Sequence, residues 1–331
     1  MIFFYTVLAL SVFLISLLGT RLTVVALRKR AAFLDRPTLR SNHQAPTPRG
    51  GGIAVVMALI IGLLIADINY AIIIAMFLLA AISLLDDLIG VPPLVRLLVQ
   101  VLAVSMPLAM VHAPIWGGLL PVWLDKGATA FLWIWIINLF NFMDGIDGLS
   151  ASEMIGIGIG FCLLSVFAGT FPQALFAYSL ILVAAGCGFL WWNWHPAKIF
   201  LGDVGSIPVG FLVGYLLLLA ATSGYVFAAL ILPAYYFSDG TLTLARRLCQ
   251  GKKVWVAHSE HYYQKAVRRG RRHDAVARHI FGINILLILL ATLSVIDPQL
   301  AVLYLSVAYM AVFMLLGFFA HITPHPHHEI S

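Results

Sequence analysis

From Tyr70 to Gly90 the chain reads YAIIIAMFLLAAISLLDDLIG. Positions 70–85 carry no charge, and two aspartates, Asp86 and Asp87, follow at once. An uncharged apolar run of this kind suits a helix across a bilayer, whose hydrocarbon core takes about 20 apolar residues. The acidic pair that ends it is costly at a membrane edge unless a cation, a basic side chain or a proton compensates its charge.

The same pattern repeats outward in both directions. Hydrophobic residues make up 62% of the 331 positions and charged residues 10%, a balance no water-soluble core of this size requires. Apolar windows predict helices near 2–27, 51–66, 70–85, 94–112, 129–143, 152–168, 173–194, 205–222, 225–245, 279–296 and 299–320. The expected fold is an all-α, polytopic transmembrane bundle of about eleven spans, with Pro233 breaking the ninth. Residues 1–331 read as a single integral membrane domain, and the first run as a span rather than a signal peptide. Cys162, Cys187 and Cys249 show no CxxC spacing, so neither disulfides nor zinc are expected from them.

Basic residues near span ends stay on the cytoplasmic side. Of the 20 Lys and Arg, 18 fall on the side of connections 1–2, 3–4, 5–6, 7–8 and 9–10. That places the N-terminus outside, the C-terminus inside and those connections in the cytoplasm. Most acids lie on the same side, including Asp35, Asp86, Asp87, Asp144, Asp147, Asp203 and Asp239, whereas Asp125 lies opposite. Carboxylates balancing arginines at an interface would give such a list one residue at a time, but five converging loops point to a site. A secondary transporter would place its coupling acids near the bilayer midplane, which argues against that rival.

Four segments carry the chemistry: Pro48-Arg49-Gly50-Gly51-Gly52, Asp86-Asp87, Asn138-Leu-Phe-Asn141-Phe-Met-Asp144-Gly-Ile-Asp147-Gly148, and Phe200-Leu-Gly202-Asp203-Val-Gly205-Ser206. Glycines at a helix start let backbone amides approach a phosphate, or else merely permit close helix packing. Scattered aspartates suit Mg²⁺, which takes one or two carboxylates and completes its shell with water and substrate phosphates. The ninth connection, 246–278, is a basic cytoplasmic loop with ten Lys and Arg, suited to anionic membrane lipids. Within it His258-Ser-Glu-His261-Tyr-Tyr-Gln264 has two histidines three apart, which could hold zinc or, better, donate to phosphate or nucleotide. His325, His327 and His328 form a terminal tract read as incidental, and Trp191, Trp192 and Trp194 as an interfacial belt. Nucleic acid is not expected as a partner.

In this order, across residues 35–264, the segments resemble the polyprenyl-phosphate N-acetylhexosamine-1-phosphate transferase family, most specifically at Asn138–Leu149 and Phe200–Ser206. The resemblance implies Mg²⁺-dependent (alternatively Mn²⁺-dependent) transfer of a sugar 1-phosphate from a UDP-sugar to undecaprenyl phosphate, releasing UMP, at the bacterial inner membrane. It implies Asp203 as principal metal ligand with Asp86, and Asp86, Asp87, Asn141 and Asp144 as the catalytic group. Asp144 and Asp147 become nucleotide-site carboxylates, and Phe200 a platform for uracil. Arg49, Gly50, Gly51, Asn138, His258 and His261 join the substrate-binding set. HSEHYYQ and RSNHQAPTPRGGG (Arg40–Gly52) are most similar to the O-antigen-initiating branch, which favours a UDP-N-acetylamino sugar such as UDP-GlcNAc over a muramyl-pentapeptide donor. Whether Asp86 acts as base or nucleophile is left open, as is the oligomeric state, a homodimer being one option.

Overall fold

In lipid every backbone polar group must be bonded within the segment, so each apolar window has to close its own i→i−4 ladder. The computed structural model describes residues 2–28, 34–35, 46–112, 114–116, 118–167, 173–254, 256 and 258–322. His325, His327, His328 and the stretch 40–45 lie outside the described residues. The helices are α1 (Ile2–Leu27), α2 (Gly52–Ile65), α3 (Tyr70–Ile89), α4 (Pro93–Ala109), α5 (Val122–Met143), α6 (Leu149–Phe167), α7 (Gln173–Asn193), α8 (Asp203–Thr222), α9 (Val226–Ile231), α10 (Ala234–Cys249), α11 (Tyr262–Arg268), α12 (His273–Ile296) and α13 (Ala301–Ala320). A two-residue ladder, β1 (Leu34–Asp35) with β2 (Thr47–Pro48), and a 3₁₀ turn at Pro298–Leu300 complete the described elements.

All eleven expected spans have helical counterparts, and the fold is an all-α polytopic bundle. Among the described residues, seven helices are long and apolar enough to cross a membrane alone, with α2 and α4 as shorter apolar helices. The ninth span is two helices, α9 and α10, separated at Leu232–Pro233. Proline has no amide to donate and sits where the ladder restarts. Several boundaries differ from expectation by three residues or more, among them three on the charged connections and their opposite end. The helix α5 begins at Val122, α3 runs on to Ile89, and α12 begins at His273, because polar side chains find partners at these ends that hydropathy alone does not count. The short helix α11 inside the basic loop was not expected.

α8 lies at the centre, against α2, α3, α5 and α9. Small residues make that possible: a Cβ on Gly214 would meet Trp133 Cδ1 at 2.2 Å, and one on Gly52 would meet the Gly205 Cα at 2.3 Å. Helices in lipid associate through such close approach. The other principal pairings are α1 with α7 and α2, α6 with α7 and α12, and α12 with α13.

Candidate active site

Five connections meet at one end of the bundle, and each brings charge for a local reason. Asp86 and Asp87 fall in the last turn of α3, where Gly90 (φ 72°) reverses the chain and the Val91 amide donates to Asp86 Oδ1 at 2.7 Å. Arg96, one turn into α4, places Nη1 2.5 Å from Asp86 Oδ2 and 3.7 Å from Asp203 Oδ2. Asp203 is the first residue of α8, after Gly202 at φ 73°. Arg49 lies 2.9 Å from Asp35 and 3.7 Å from Asp87. Asp144 follows α5 as its C-terminal cap and lies at the cavity beside Gly202 and Asp203.

A cavity of about 240 Å³ opens among these residues, lined by Asp35, Arg49, Asn141, Asp144, Asp147, Asn193, Phe200, Asp203, Gln264 and His273, among others. Around it Asp35, Asp86, Asp87, Asp144 and Asp203 face two guanidinium groups, Arg49 and Arg96. Carboxylates in excess of their cations raise one another's proton affinity. Burial first, with the Asp203 charge adding to it, pushes the Asp144 carboxyl up to about 6.

Asp147 is a contrasting case. Burial opposes its ionisation, yet hydrogen bonds and charge from His273, then His195 and the Ala197 amide, hold it below the usual carboxylate range. His195 Nδ1 is 2.6 Å from Asp147 Oδ2 and His273 Nδ1 is 3.3 Å from Oδ1. Donor atoms of these three side chains all lie within 4.8 Å of one another, the one such His/Cys/Asp/Glu group among the described residues. The loop is held from behind, where Gly148 (φ 76°) donates its amide to Asn193 Oδ1 at 3.0 Å.

Of the residues singled out from sequence, Arg49, Asn141, Asp144, Asp147, Phe200 and Asp203 line the cavity, while Asp86 and Asp87 join it through the arginines. Asn141 donates to Ser206 Oγ at 3.1 Å, tying α5 to α8. Asn138 is not at the cavity: its amide exchanges hydrogen bonds with Gln100 of α4, the shorter at 2.8 Å. Gly50 and Gly51 do not form a phosphate cradle, because both amides donate to Phe200 O and the Gly52 amide to Leu201 O. Gly50 takes φ 125°, and a Cβ on Gly51 would lie 2.7 Å from Phe189. These glycines form the joint between α2 and the strand-like segment entering α8.

His258 and His261 are also away from the cavity lining. His261 is 1% exposed, its Nδ1 3.3 Å from Asp239, with His258 stacked on it at 5.0 Å between ring centroids. Burial first, then the His261 and Arg247 charges, lowers the His258 imidazole to about 4, so it is neutral at physiological pH. Asp239, fully buried, accepts from the Tyr262 and Tyr263 amides at the start of α11. That helix brings Gln264 to the cavity.

Sequence reasoning gave no site role to Arg96, Asn193, His195, Asp239 or His273, and quoted Gln264 only as part of a motif. The charge of Arg96, ten residues past Asp86, was a usable signal. The remainder depend on loops that meet only in the folded chain. The Trp belt reduces to Trp191, since Trp192 donates to Leu17 O at 2.9 Å and Trp194 packs on Gly148.

The family model described as glycosyl transferase family 4 matches residues 69–221, which include α3 to α8 and most of the cavity's acids. A decaprenyl-phosphate N-acetylglucosaminephosphotransferase of Mycolicibacterium smegmatis is 30% identical over 286 residues, 72% of this chain and 69% of the relative. A probable undecaprenyl-phosphate N-acetylglucosaminyl 1-phosphate transferase of Bacillus subtilis is 28% identical over 282 residues, 79% and 78% of the two chains. A phospho-N-acetylmuramoyl-pentapeptide-transferase of Desulforapulum autotrophicum is 29% identical over 297 residues, 75% and 80%.

Proposed function

This chain belongs to glycosyl transferase family 4, and from that premise we propose that it transfers an N-acetylamino-sugar 1-phosphate, as from UDP-GlcNAc, to undecaprenyl phosphate and releases UMP. It is a multi-pass membrane enzyme, a phosphotransferase acting on a polyprenyl phosphate. The observation that carries the finer reading is the cavity in which Arg49, Asp144, Phe200 and Asp203, from three separate connections, face one space. Both substrates are anionic, and the lipid phosphate sits at headgroup depth, so an interfacial, charge-rich cavity suits their meeting. In sequence, 18 of the 20 basic residues fall in or beside the same odd-numbered connections that supply the cavity's acids, which supports a cytoplasmic active site in the bacterial inner membrane.

The donor set fits a divalent cation: hard carboxylate oxygens, more of them than the two arginines neutralise, beside a polar cavity. Asp203, with Asp87 and Asp144 alongside it, would hold Mg²⁺ or Mn²⁺, which when bound would neutralise pyrophosphate charge. Asp86 is the weaker candidate ligand, since the Val91 amide and Arg96 already engage its two oxygens. The same engagement supports a positioning role for Asp86 over attack as a nucleophile. Arg49, half exposed at the cavity, is placed to receive a phosphate, and Phe200 offers a ring to a base. The reaction exchanges one phosphoanhydride for another, so positioning and charge neutralisation supply most of the catalysis.

Initiation of a lipid-linked O-antigen or another cell-envelope glycan is the proposed role. The similarity to a pentapeptide-transferase sustains a second reading, in which the donor carries a muramyl pentapeptide. Purified protein given undecaprenyl phosphate, Mg²⁺ and a panel of UDP-sugars decides between them. UMP release with a UDP-N-acetylamino sugar is expected. Release with UDP-MurNAc-pentapeptide alone would favour the second reading, and UDP in place of UMP would exclude sugar-phosphate transfer altogether.

A further inference from the structure

Inside the bundle, away from the cavity, one carboxylate has no part in the chemistry above. Glu153, in the second turn of α6, is 0% exposed, and among the described residues no cation pairs with it. Its Oε2 accepts from Asn284 Nδ2 of α12 at 2.7 Å. Its other oxygen, Oε1, has no partner, and neither has Asn284 Oδ1. Two orphaned buried acceptors on the same two side chains have one common remedy, a proton between them.

We infer that Glu153 is a neutral carboxylic acid that clasps Asn284 in a two-bond ring, and that the pair is a positioning device holding α12 on α6. In the ring Glu153 Oε1–H donates to Asn284 Oδ1 while Asn284 Nδ2–H donates to Glu153 Oε2. Exchanging the amide oxygen and nitrogen of Asn284 leaves the conclusion intact: the 2.7 Å contact would then join two oxygens and itself require the proton. An ionised, unpaired carboxylate in this setting would carry a desolvation cost that one amide bond does not offset. From α10, Tyr236 faces the same region, its hydroxyl directed to Ser150 Oγ at 3.5 Å, and it supplies no positive charge. Room for the amide comes from Gly156, one turn on from Glu153, where a Cβ would lie 3.2 Å from Asn284 Nδ2.

The pair's place in the fold gives it a task. α6 begins two residues after Asp147, and α12 begins at His273, which holds Asp147. Asn284 lies eleven residues, or about 16 Å of helix, below His273. The two helices are therefore pinned twice, at the site through Asp147–His273 and within the membrane through Glu153–Asn284. Loss of the lower pin frees α12 to carry His273 off Asp147.

Infrared spectra, melting and turnover of wild type, Glu153→Gln, Glu153→Ala and Asn284→Ala test this. Wild type should show a carboxylic-acid carbonyl band at neutral pH that Glu153→Gln removes. Glutamine reproduces the ring without a titratable proton, so Glu153→Gln should keep turnover within about twofold. Glu153→Ala and Asn284→Ala should each lose about tenfold and melt lower, and the double alanine variant should be no worse than either, because both break one unit. Absence of the Glu153-dependent band, or a glutamine variant as impaired as alanine, would overturn the clasp. The turnover arm rests on the proposed reaction. The infrared and melting arms do not, so failure of every UDP-sugar would refute that reaction and still leave the clasp decided.

Discussion

The two ends of the bundle each bury aspartates, and they treat them oppositely. At the far end Asp125, 3% exposed in the first turn of α5, accepts from the Ile115 and Trp116 amides at 3.0 Å. Thr129 and the Trp116 indole close the same clasp. Backbone amides of the chain itself engage both oxygens of that carboxylate. At the cavity end the acids outnumber their arginines, and Asp144 is pushed up to about 6. A carboxylate held by its own backbone is a structural part, whereas carboxylates crowded beyond their cations are set up to bind one.

The largest expected effect would break this comparison if it fell at the wrong end. Asp203→Asn should lower turnover at least about 100-fold with an unchanged melting temperature. Asp125→Ala should do the reverse, destabilising the protein by about 1–3 kcal/mol through unsatisfied amides while the folded fraction turns over normally. Turnover lost with Asp125→Ala at full stability, or kept with Asp203→Asn, would reverse the assignment of the two ends. Asp125 illustrates what the sequence withholds. Its position opposite the basic loops reads as a simple loop cap, and its burial depends on Ile115 and Trp116 folding back over it.

The histidines sharpen the same contrast. His261 satisfies the buried Asp239 as amides satisfy Asp125, so His261→Ala should cost about 2 kcal/mol of stability and reduce transfer by loosening α11 and Gln264. His258→Ala removes only the outer ring of the stack and should cost under about 1 kcal/mol. Neither variant should alter metal content, and stoichiometric zinc lost from either would restore the zinc alternative. Spans and charge-bearing loops were legible because hydropathy and sidedness are properties of sequence windows. Asp86, Asp87, Asp144 and Asp203 were legible because glycines and paired acids mark them locally. The roles of Gly50 and Gly51 were not, since whether an amide is free depends on Phe200, about 150 positions away. Nor were Asp239, His195 and His273, whose partners come from other connections.

A smaller effect, at the cavity end, depends on pH. Asp144 keeps its proton in the folded state up to about 6, against about 4 in an unfolded chain. The folded form therefore binds more protons between those values, and stability should fall as pH rises through that window. Asp87, which burial and the Asp203 charge also push up to about 6, adds to the same slope, so melting in EDTA should show it, Asp144→Asn should reduce it by about half, and Mg²⁺ should flatten it by supplying the missing counter-charge. A slope unchanged by both would separate Asp144 from the proposed cation site.

The smallest effect concerns the equilibrium, the one quantity on which variants at both ends must agree. A UDP-sugar and a polyprenyl diphosphate sugar each hold one phosphoanhydride, so the equilibrium constant should lie within about a factor of ten of unity, or ~1.4 kcal/mol. Added UMP should then run the reaction backwards, and radiolabelled UMP should enter UDP-sugar only with lipid-linked product and divalent metal both present. A catalyst changes rates in both directions alike, so Asp203→Asn should slow the exchange about 100-fold without moving its end point. Asp125→Ala should reach the same end point at a rate set by its folded fraction. An end point that differed between variants would mean that a second, consuming reaction accompanies transfer. A transporter would give no exchange at all, and an enzyme that moved the sugar without its phosphate would exchange UDP in place of UMP.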